Sequence, residues 1–503
     1  MKTNVVVAGW GQVTQSKQLK TLPQDPMGMM VQASVAAARN LKTPDLLPRV
    51  EAILTVKSLS VYYKTPAQDL AQRLGASPKI NFESRIGGNS PQTLINTAAG
   101  MIARKEVNSV LVAGAETYVP RSLDPETPDR IKPDNALLQG IPKDYTGNDA
   151  SGVTPLEARY GIQHPMQGFP LFETALWAAS GMDISTYLNK VAAFWSQFSQ
   201  RASTHPYAWT KTAKAPEEIL RVSDQNRPIA FPYTKFMNSF VTVDQGAAII
   251  LMSQDYAKTH GSARGRTVYF SGGGYAQDRQ QFMIQKTDFT SSPPLKAAVD
   301  KALHRSGFSL EDMDAFDLYS CFPSAVSIAK KMLDIKENDP RPMTLTGGLG
   351  FFGGPGNNYN LHAVATLCSR IAQGLTKTGM VTALGWFMHK HAAGIYSCLP
   401  PEKPLDTMDI EDKENFMAGQ APVKLDPNPS GTGIIETYTI VYNRDHSPAY
   451  GVVYGKTQPG DRFIGRTPWD PALFERLSTR CMVGRKVSLT MDPQTGLTLA
   501  RLT

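Results

Sequence analysis

The chain has 503 residues, 41% of them hydrophobic and 19% charged, with a net charge of +8. That length exceeds what one core serves, so two to four domains are expected. Lys and Arg are scattered rather than blocked, no run of 18 apolar residues occurs, and the first residues read as a strand rather than a leader; a membrane span, a secretion signal and a nucleic-acid-binding arm are set aside, and a cytoplasmic location is expected.

Asn4–Val7 reads as a buried strand ending at Gly9, followed by a helix over Met27–Arg39 and a second strand, Ala52–Val56. Tyr62–Leu74 has a helical pattern that stops before Gly75, and Asn81–Gly88 reads as a strand and turn. Ser90-Pro91-Gln92 opens a helix, with serine as N-cap and proline at the first helical position. Leu94, Ile95, Ala98, Met101 and Ile102 form its buried face, and the strand Ser109–Ala113 follows. Buried, non-alternating strands between helices predict a parallel sheet covered on both faces.

Residues 118–230 break this rhythm with proline, aromatic and polar loops around two helical patterns, Phe169–Ser180 and Ile184–Arg201. Pro232–Met252 returns to strand character. Thr267–Gly274 opens a second strand–helix series, with strand Phe316–Tyr319, helix Ser324–Leu333 and strands Met380–Leu384 and Gly394–Ser397. Between them lies Thr344–Asn360, TLTGGLGFFGGPGNNYN, in which six of seventeen residues are glycine. Glycine loses the most backbone freedom on ordering, so such a run implies a close backbone approach. It feeds a helix with Leu361, Val364, Ala365, Cys368 and Ile371 on one face, an arrangement that suits an anionic or oxyanionic group. Lys403–Gly431 reads as a linker, and from Gly433 four strand patterns (Ile434–Tyr442, Ala449–Tyr454, Arg462–Ile464, Val487–Met491) predict a small β-barrel of the OB type. Its aromatic residues do not interleave with a basic groove, which argues against nucleic acid.

The segment Ser291–Phe352 resembles the C-terminal half of the thiolase superfamily, with Lys301–Phe322 similar to that family's approach to its motif. Tyr319-Ser320-Cys321-Phe322 is similar to the HDCF motif of sterol-carrier-type thiolases, Gly353-Gly354-Pro355 to the family's Gly-His-Pro loop, and Asp244–Ala248 to its Asp-Gly-Ala-Ala run. The resemblance covers roughly the first 400 residues. It implies a five-layered α/β/α/β/α thiolase fold of two similar halves (1–117 with 231–256, and 257–402), an inserted loop domain (118–230), a linker (403–432) and an OB-like β domain (433–503). It further implies an acyl-CoA ligand, with no covalently bound cofactor, a homodimer, a possible partner subunit, and an acetyl-CoA acetyltransferase type of activity in lipid metabolism.

A thiolase carries a nucleophilic cysteine at a helix N-terminus, where the dipole favours thiolate. The resemblance places that position at Gly87, and no cysteine precedes Cys321, so covalent acyl transfer through the first half is excluded. Ser90 is a nucleophile only on paper; as a helix cap its hydroxyl has a backbone partner. The loop histidine becomes Gly354, which keeps a backbone N–H but moves no proton. Gly87, Gly88, Ser90, Gly353, Gly354, Asn357 and Asn358 are expected to line the ligand site, the two asparagines as amide donors to a thioester oxygen. Cys321, before a helix start that would lower its pKa, and His391, in the Gly385–Ser397 stretch that replaces the family's last cysteine loop, are the expected catalytic pair. His389 and Lys390 flank that histidine. Cys368 reads as core. Cys398 and Cys481 carry no signal, and the four cysteines lack the spacing of a disulfide framework or a zinc site. Two alternatives stand beside acyl transfer: a non-catalytic scaffold for acyl-CoA or a partner, and a retro-aldol lyase acting on a CoA ester.

Overall fold

The structure, a computed structural model, describes residues 4–15, 24–39, 41, 45–118, 152–261, 265–402, 417–458 and 460–503. In chain order the first half contributes β1 (Val5–Thr14), β2 (Ala52–Thr55), β3 (Ile80–Glu83) and β4 (Ser109–Thr117). The short β5 (Pro228–Ala230) and β6 (Tyr233–Thr234) precede β7 (Asp244–Ser253). The second half contributes β8 (Tyr269–Asp278), β9 (Ala315–Asp317), β10 (Thr378–Gly385) and β11 (Lys390–Ser397), followed by the two-residue β12 (Met417–Ala418).

Apart from β5 and β6, these strands make one sheet in the order β3-β2-β4-β7-β1-β8-β11-β10-β9, with β12 beside β8. The halves meet where Val6 pairs with Tyr269. Outward from that seam the first half runs β1-β7-β4-β2-β3 and the second β8-β11-β10-β9. Beyond β9, the N–H groups of Phe316 and Leu318 donate to the carbonyls of Pro342 (2.9 Å) and Met343 (3.0 Å), where the first half has β3. The same order therefore occurs twice, although no residue-level repeat marks it. The expectation of a parallel sheet is corrected. The β2–β3, β2–β4 and β9–β10 pairs are parallel, but β4–β7, β1–β7, β8–β11 and β10–β11 are antiparallel. Only four residues join β10 to β11, a connection too short for a parallel crossover.

Five layers result. Helices Pro26–Arg39 and Pro66–Leu74 cover the outer face of the first half-sheet, and Pro293–Ser306 that of the second, with Pro323–Met332 packed against Pro293–Ser306. Helices Ser90–Ala103 and Tyr359–Ala372 lie between the half-sheets and touch each other and strands of both. That central position explains why Leu361, Val364, Leu367 and Ile371 are fully buried; each such side chain contributes about 1.5–3 kcal/mol. Helix Pro165–Ser180 starts four residues earlier than its apolar pattern, and Ile184–Thr204 runs slightly longer than expected. Residues 119–151 and 403–416, on which much of the expected loop domain and linker falls, lie outside the described residues.

The C-terminal unit has β13 (Gly431–Tyr442), β14 (Pro448–Thr457), β15 (Arg462–Arg466), β16 (Lys486–Met491) and β17 (Thr498–Leu502). Its strands pair β13-β14-β15-β17-β16 and back to β13, a closed barrel in which β15 and β17 are parallel. A helix missed by the strand reading, Pro471–Thr479, links β15 to β16, with Asp470 capping the Ala472 N–H at 3.0 Å. The barrel packs on the body. β5 pairs with β13 through Ala230 and Val441, the Tyr454 hydroxyl donates to Glu157 (3.2 Å), and the buried Arg462 donates to the Lys286 carbonyl (2.7 Å). Among the described residues no helix is long and apolar enough to cross a membrane.

A polar chain ties three parts together inside the core. His362 Nδ1 meets Gln12 Oε1 at 3.0 Å, Gln12 donates to Thr366 Oγ1 at 3.1 Å, and His205 Nε2 lies 3.0 Å from the same oxygen. His362 Nε2 is buried without a partner. Burial pushes His362 down to about 3, with the charge of His205 adding to it. A histidine whose folded pKa lies below its unfolded value loses stability as pH falls, because only the unfolded state takes up the proton. Below the ordinary histidine pKa, the stability gap between wild type and His362→Gln should close by about 1.4 kcal/mol per pH unit. Denaturant unfolding at stepped pH measures it, and a constant gap contradicts the unprotonated assignment.

Candidate functional site

Two loops meet at the start of the helix Ser90–Ala103. The Gly87 N–H donates to Asn357 Oδ1 at 3.0 Å, and Asn357 Nδ2 donates to the Lys57 carbonyl at 2.9 Å. Asn358 Nδ2 donates to the Gly114 carbonyl at 2.7 Å. Gly87 and Asn357 are thus brought together, but the asparagine donors point to backbone carbonyls. The Gly354 N–H, expected to serve an oxyanion, donates to the Phe240 carbonyl at 2.9 Å. Gln245 closes on Gly353, donating to the Phe352 carbonyl at 3.0 Å. Ser90 is not the cap: Asn89 holds that position, and the Ser90 hydroxyl donates to the Arg85 carbonyl at 2.7 Å. The amide-donor expectation for Asn357 and Asn358 is corrected for the same reason, since both amides already bond to backbone carbonyls.

The space in front of Gly87 is filled. A β-carbon on Gly87 would stand 2.4 Å from Asn89 Oδ1, and one on Gly385 2.2 Å from the same atom. On Gly88 it would stand 2.1 Å from the Tyr319 hydroxyl and 2.5 Å from the Leu384 carbonyl oxygen. Two side chains that the sequence reading did not cast as occupants, Asn89 and Tyr319, therefore sit where a nucleophile and its neighbour would need room. The available signal was Tyr319 itself, a bulky phenol where the similar motif carries histidine. Behind the loop, Glu116 accepts from the N–H groups of Leu59 (2.7 Å) and Ser60 (2.8 Å) and from the Ser58 hydroxyl (3.0 Å). Burial pushes its carboxyl up to about 7.

The barrel has a counterpart in a known family: residues 414–494 match the model described as the thiolase-like protein type 1 additional C-terminal domain. The chain is also similar along its whole length to a monomeric SCP2-thiolase like protein type 1 from Mycobacterium smegmatis. The two share 28% identity over 99% of each chain, with a TM-score of 0.82. The chain belongs to the thiolase superfamily. Human mitochondrial 3-ketoacyl-CoA thiolase shares the fold at 16% identity and a TM-score of 0.57, over 78% of this thiolase-like chain and 98% of its own. An acetyl-CoA acetyltransferase from Syntrophomonas wolfei does so at 15% and 0.57, over 79% and 100%. No curated protein matches the sequence.

The remaining candidates of this thiolase-like chain lie apart. Cys321 is buried, its carbonyl accepts from Ser239 Oγ at 2.7 Å, and burial pushes its thiol far up. The expected lowering fails because loss of solvent outweighs what the adjoining helix start supplies. His391 turns to Ser292 Oγ (2.9 Å) and the Met388 carbonyl (3.3 Å), and burial holds it down at about 3. The structure shows no hydrogen bond between Cys321 and His391. His389 is also buried and pushed down to about 3, and its carbonyl accepts the Asp278 N–H at 2.7 Å. Cys368 is fully buried on the central helix, as its apolar face predicts. Among the described residues no cluster of metal-ligating side chains occurs.

Proposed function

We propose that this chain is a thiolase-like scaffold that holds an acyl-CoA without transferring its acyl group. One observation carries the reading: at Gly87, where the resemblance puts the nucleophile, Asn89 Oδ1 lies 2.4 Å from where a β-carbon would stand, and at the adjoining Gly88 the Tyr319 hydroxyl lies 2.1 Å from it. Covalent catalysis needs a nucleophile beside a base, and general-base work needs a proton acceptor within reach of the substrate. Cys321, carrying its proton at neutral pH, and His391, engaged with Ser292, supply neither. The same lack speaks against a retro-aldol lyase. The fold shared with coenzyme A thioester enzymes supports the ligand class, and the acetyltransferase activity is not proposed.

Calorimetric titration with coenzyme A and acetyl-CoA, paired with a free-thiol assay over a panel of acyl-CoA esters, tests it. Binding without thiol release is expected. Thiol release by the wild type removes the reading, and absence of binding removes the ligand. Gly87→Cys should not create activity, because the new sulfur would collide with Asn89 and the backbone there has φ +151. A dimer was the family expectation; on the likeness to the monomeric mycobacterial protein we propose a monomer. Light scattering should return a mass near 55.0 kDa; twice that value restores the dimer.

A further inference from the structure

The helix Tyr359–Ala372 starts at the glycine-rich loop and, at a rise of about 1.5 Å per residue, ends about 20 Å from it. Near that far end it meets the end of the helix Ile184–Thr204, where the capping residue His205 places Nε2 3.0 Å from Thr366 Oγ1. Cations from four segments surround this contact. Arg201 stands in the last turn of the first helix, one turn before His205. Arg370 stands in the last turn of the second, one turn after Thr366. Lys211 folds back and donates to the carbonyls of His205 (2.7 Å) and Pro206 (2.8 Å). The Arg266 guanidinium lies against Gly374, its Cζ 3.1 Å from where a β-carbon there would stand. The charges feel one another: His205 is pushed down to about 4 by burial first and then by Lys211 and Arg201, and Arg370 is lowered by burial and then by Arg201.

Cations at a helix C-terminus ordinarily answer the negative end of its dipole. Two such ends together amount to about one unit of charge, which the cations of this patch exceed. Their printed partners are neutral: Lys211 meets the two carbonyls, and Arg370 Nε donates to Thr376 Oγ1 at 3.3 Å. Among the described residues none of Arg201, Lys211, Arg266 and Arg370 forms an ion pair. Arg201 and Arg370 are half-buried, and Lys211 and Arg266 are exposed, so the patch is open to solvent. A phosphoryl group offers acceptor oxygens in several directions, which donors arriving from separate segments can share, whereas a carboxylate offers one plane. Guanidinium forks suit such oxygens best. We propose that this patch binds a ligand bearing two or more adjoining phosphate groups, held by Arg201, Arg370, Arg266 and Lys211. It stands apart from the Gly87 site and goes beyond the scaffold reading.

Calorimetry on the full chain at low salt, with pyrophosphate, orthophosphate and citrate, tests this. Pyrophosphate should bind at millimolar concentration or below, and orthophosphate and citrate should each be weaker by about tenfold. Arg201→Gln and Arg370→Gln should each weaken pyrophosphate by about tenfold. Lys486→Gln, on the barrel strand β16, should leave it unchanged. Circular dichroism and melting show that each variant is folded. Arg266→Gln, at an exposed position, carries the test if a half-buried arginine cannot be replaced, and should also weaken pyrophosphate. Coenzyme A distinguishes two sources of the phosphates. If the arginine substitutions weaken it as well, its own phosphates sit here; if they leave it unchanged, the ligand is a separate phosphorylated molecule. Pyrophosphate carries no thioester, so its result stands or falls independently of the scaffold reading. No binding of pyrophosphate, equal binding of orthophosphate or citrate, or folded arginine variants that bind as the wild type does each overturns the proposal.

Discussion

Asp317→Ala is expected to destabilise the chain by about 4 kcal/mol. Asp317 closes β9 and is fully buried. Its carboxylate accepts from the N–H groups of Leu345 (2.8 Å) and Thr346 (3.2 Å), the hydroxyls of Thr344 and Thr346 (3.2 Å each) and the Tyr359 hydroxyl (2.9 Å). These donors belong to both ends of the glycine-rich loop, so one side chain fastens the segment that leads into the central helix. Removing it leaves buried N–H and O–H groups without acceptors, each at a cost of about 1–3 kcal/mol before relaxation. Asp317→Asn keeps the shape and one acceptor and should lose about half as much. Denaturant unfolding of the two variants reads the difference. A loss below about 1 kcal/mol for the alanine would mean that the loop is held elsewhere.

Gly274→Ala should cost about 3 kcal/mol. A β-carbon on Gly274 would lie 1.9 Å from the Ala298 carbonyl oxygen and 3.0 Å from the Ala302 backbone nitrogen, both in the helix Pro293–Ser306. Neither is the end of a flexible side chain, so the whole helix must lift from β8. Gly273→Ala is the internal control: its closest neighbour is the amide oxygen of Asn96, at 2.4 Å, on the opposite face. A side chain can yield where a helix backbone cannot, so Gly273→Ala should cost clearly less in the same unfolding measurement. Equal losses would contradict the close approach of helix to strand. The triple glycine, which reads as the end of a strand, is thus the middle of one, thinned so that helices can close on both faces.

The mixed strand–helix core and the terminal barrel were legible because each follows from apolar spacing and from turn residues. The sheet was misread as parallel because periodicity reports burial on two faces and not strand direction. The helix Pro471–Thr479 was missed although Asp470-Pro471 marks its start, because the strands around it dominate the pattern. Tyr62–Leu74 was drawn four residues too long, and the helix begins only at Pro66, where proline fits the first turn. In the site, the structure joins Gly87 to Asn357, while Asn358, Gly353 and Gly354 turn to Gly114, Gln245 and Phe240. These roles were not legible, because a donor visible in sequence carries no sign of the partner it has in space.

Residue identity alone determined that no thiol precedes Cys321, that the loop histidine is absent, and that the chain has a thiolase-like body with a separate β-rich end. Those are statements about which atoms exist, and folding cannot add any. Tertiary structure decided how the vacated place is used. Only the meeting of the central helix with the ends of β9 and β10 brings Asn89 against Gly385 and sets Tyr319 over Gly88. Burial, which depends on every layer at once, then keeps Cys321 protonated and His391 neutral.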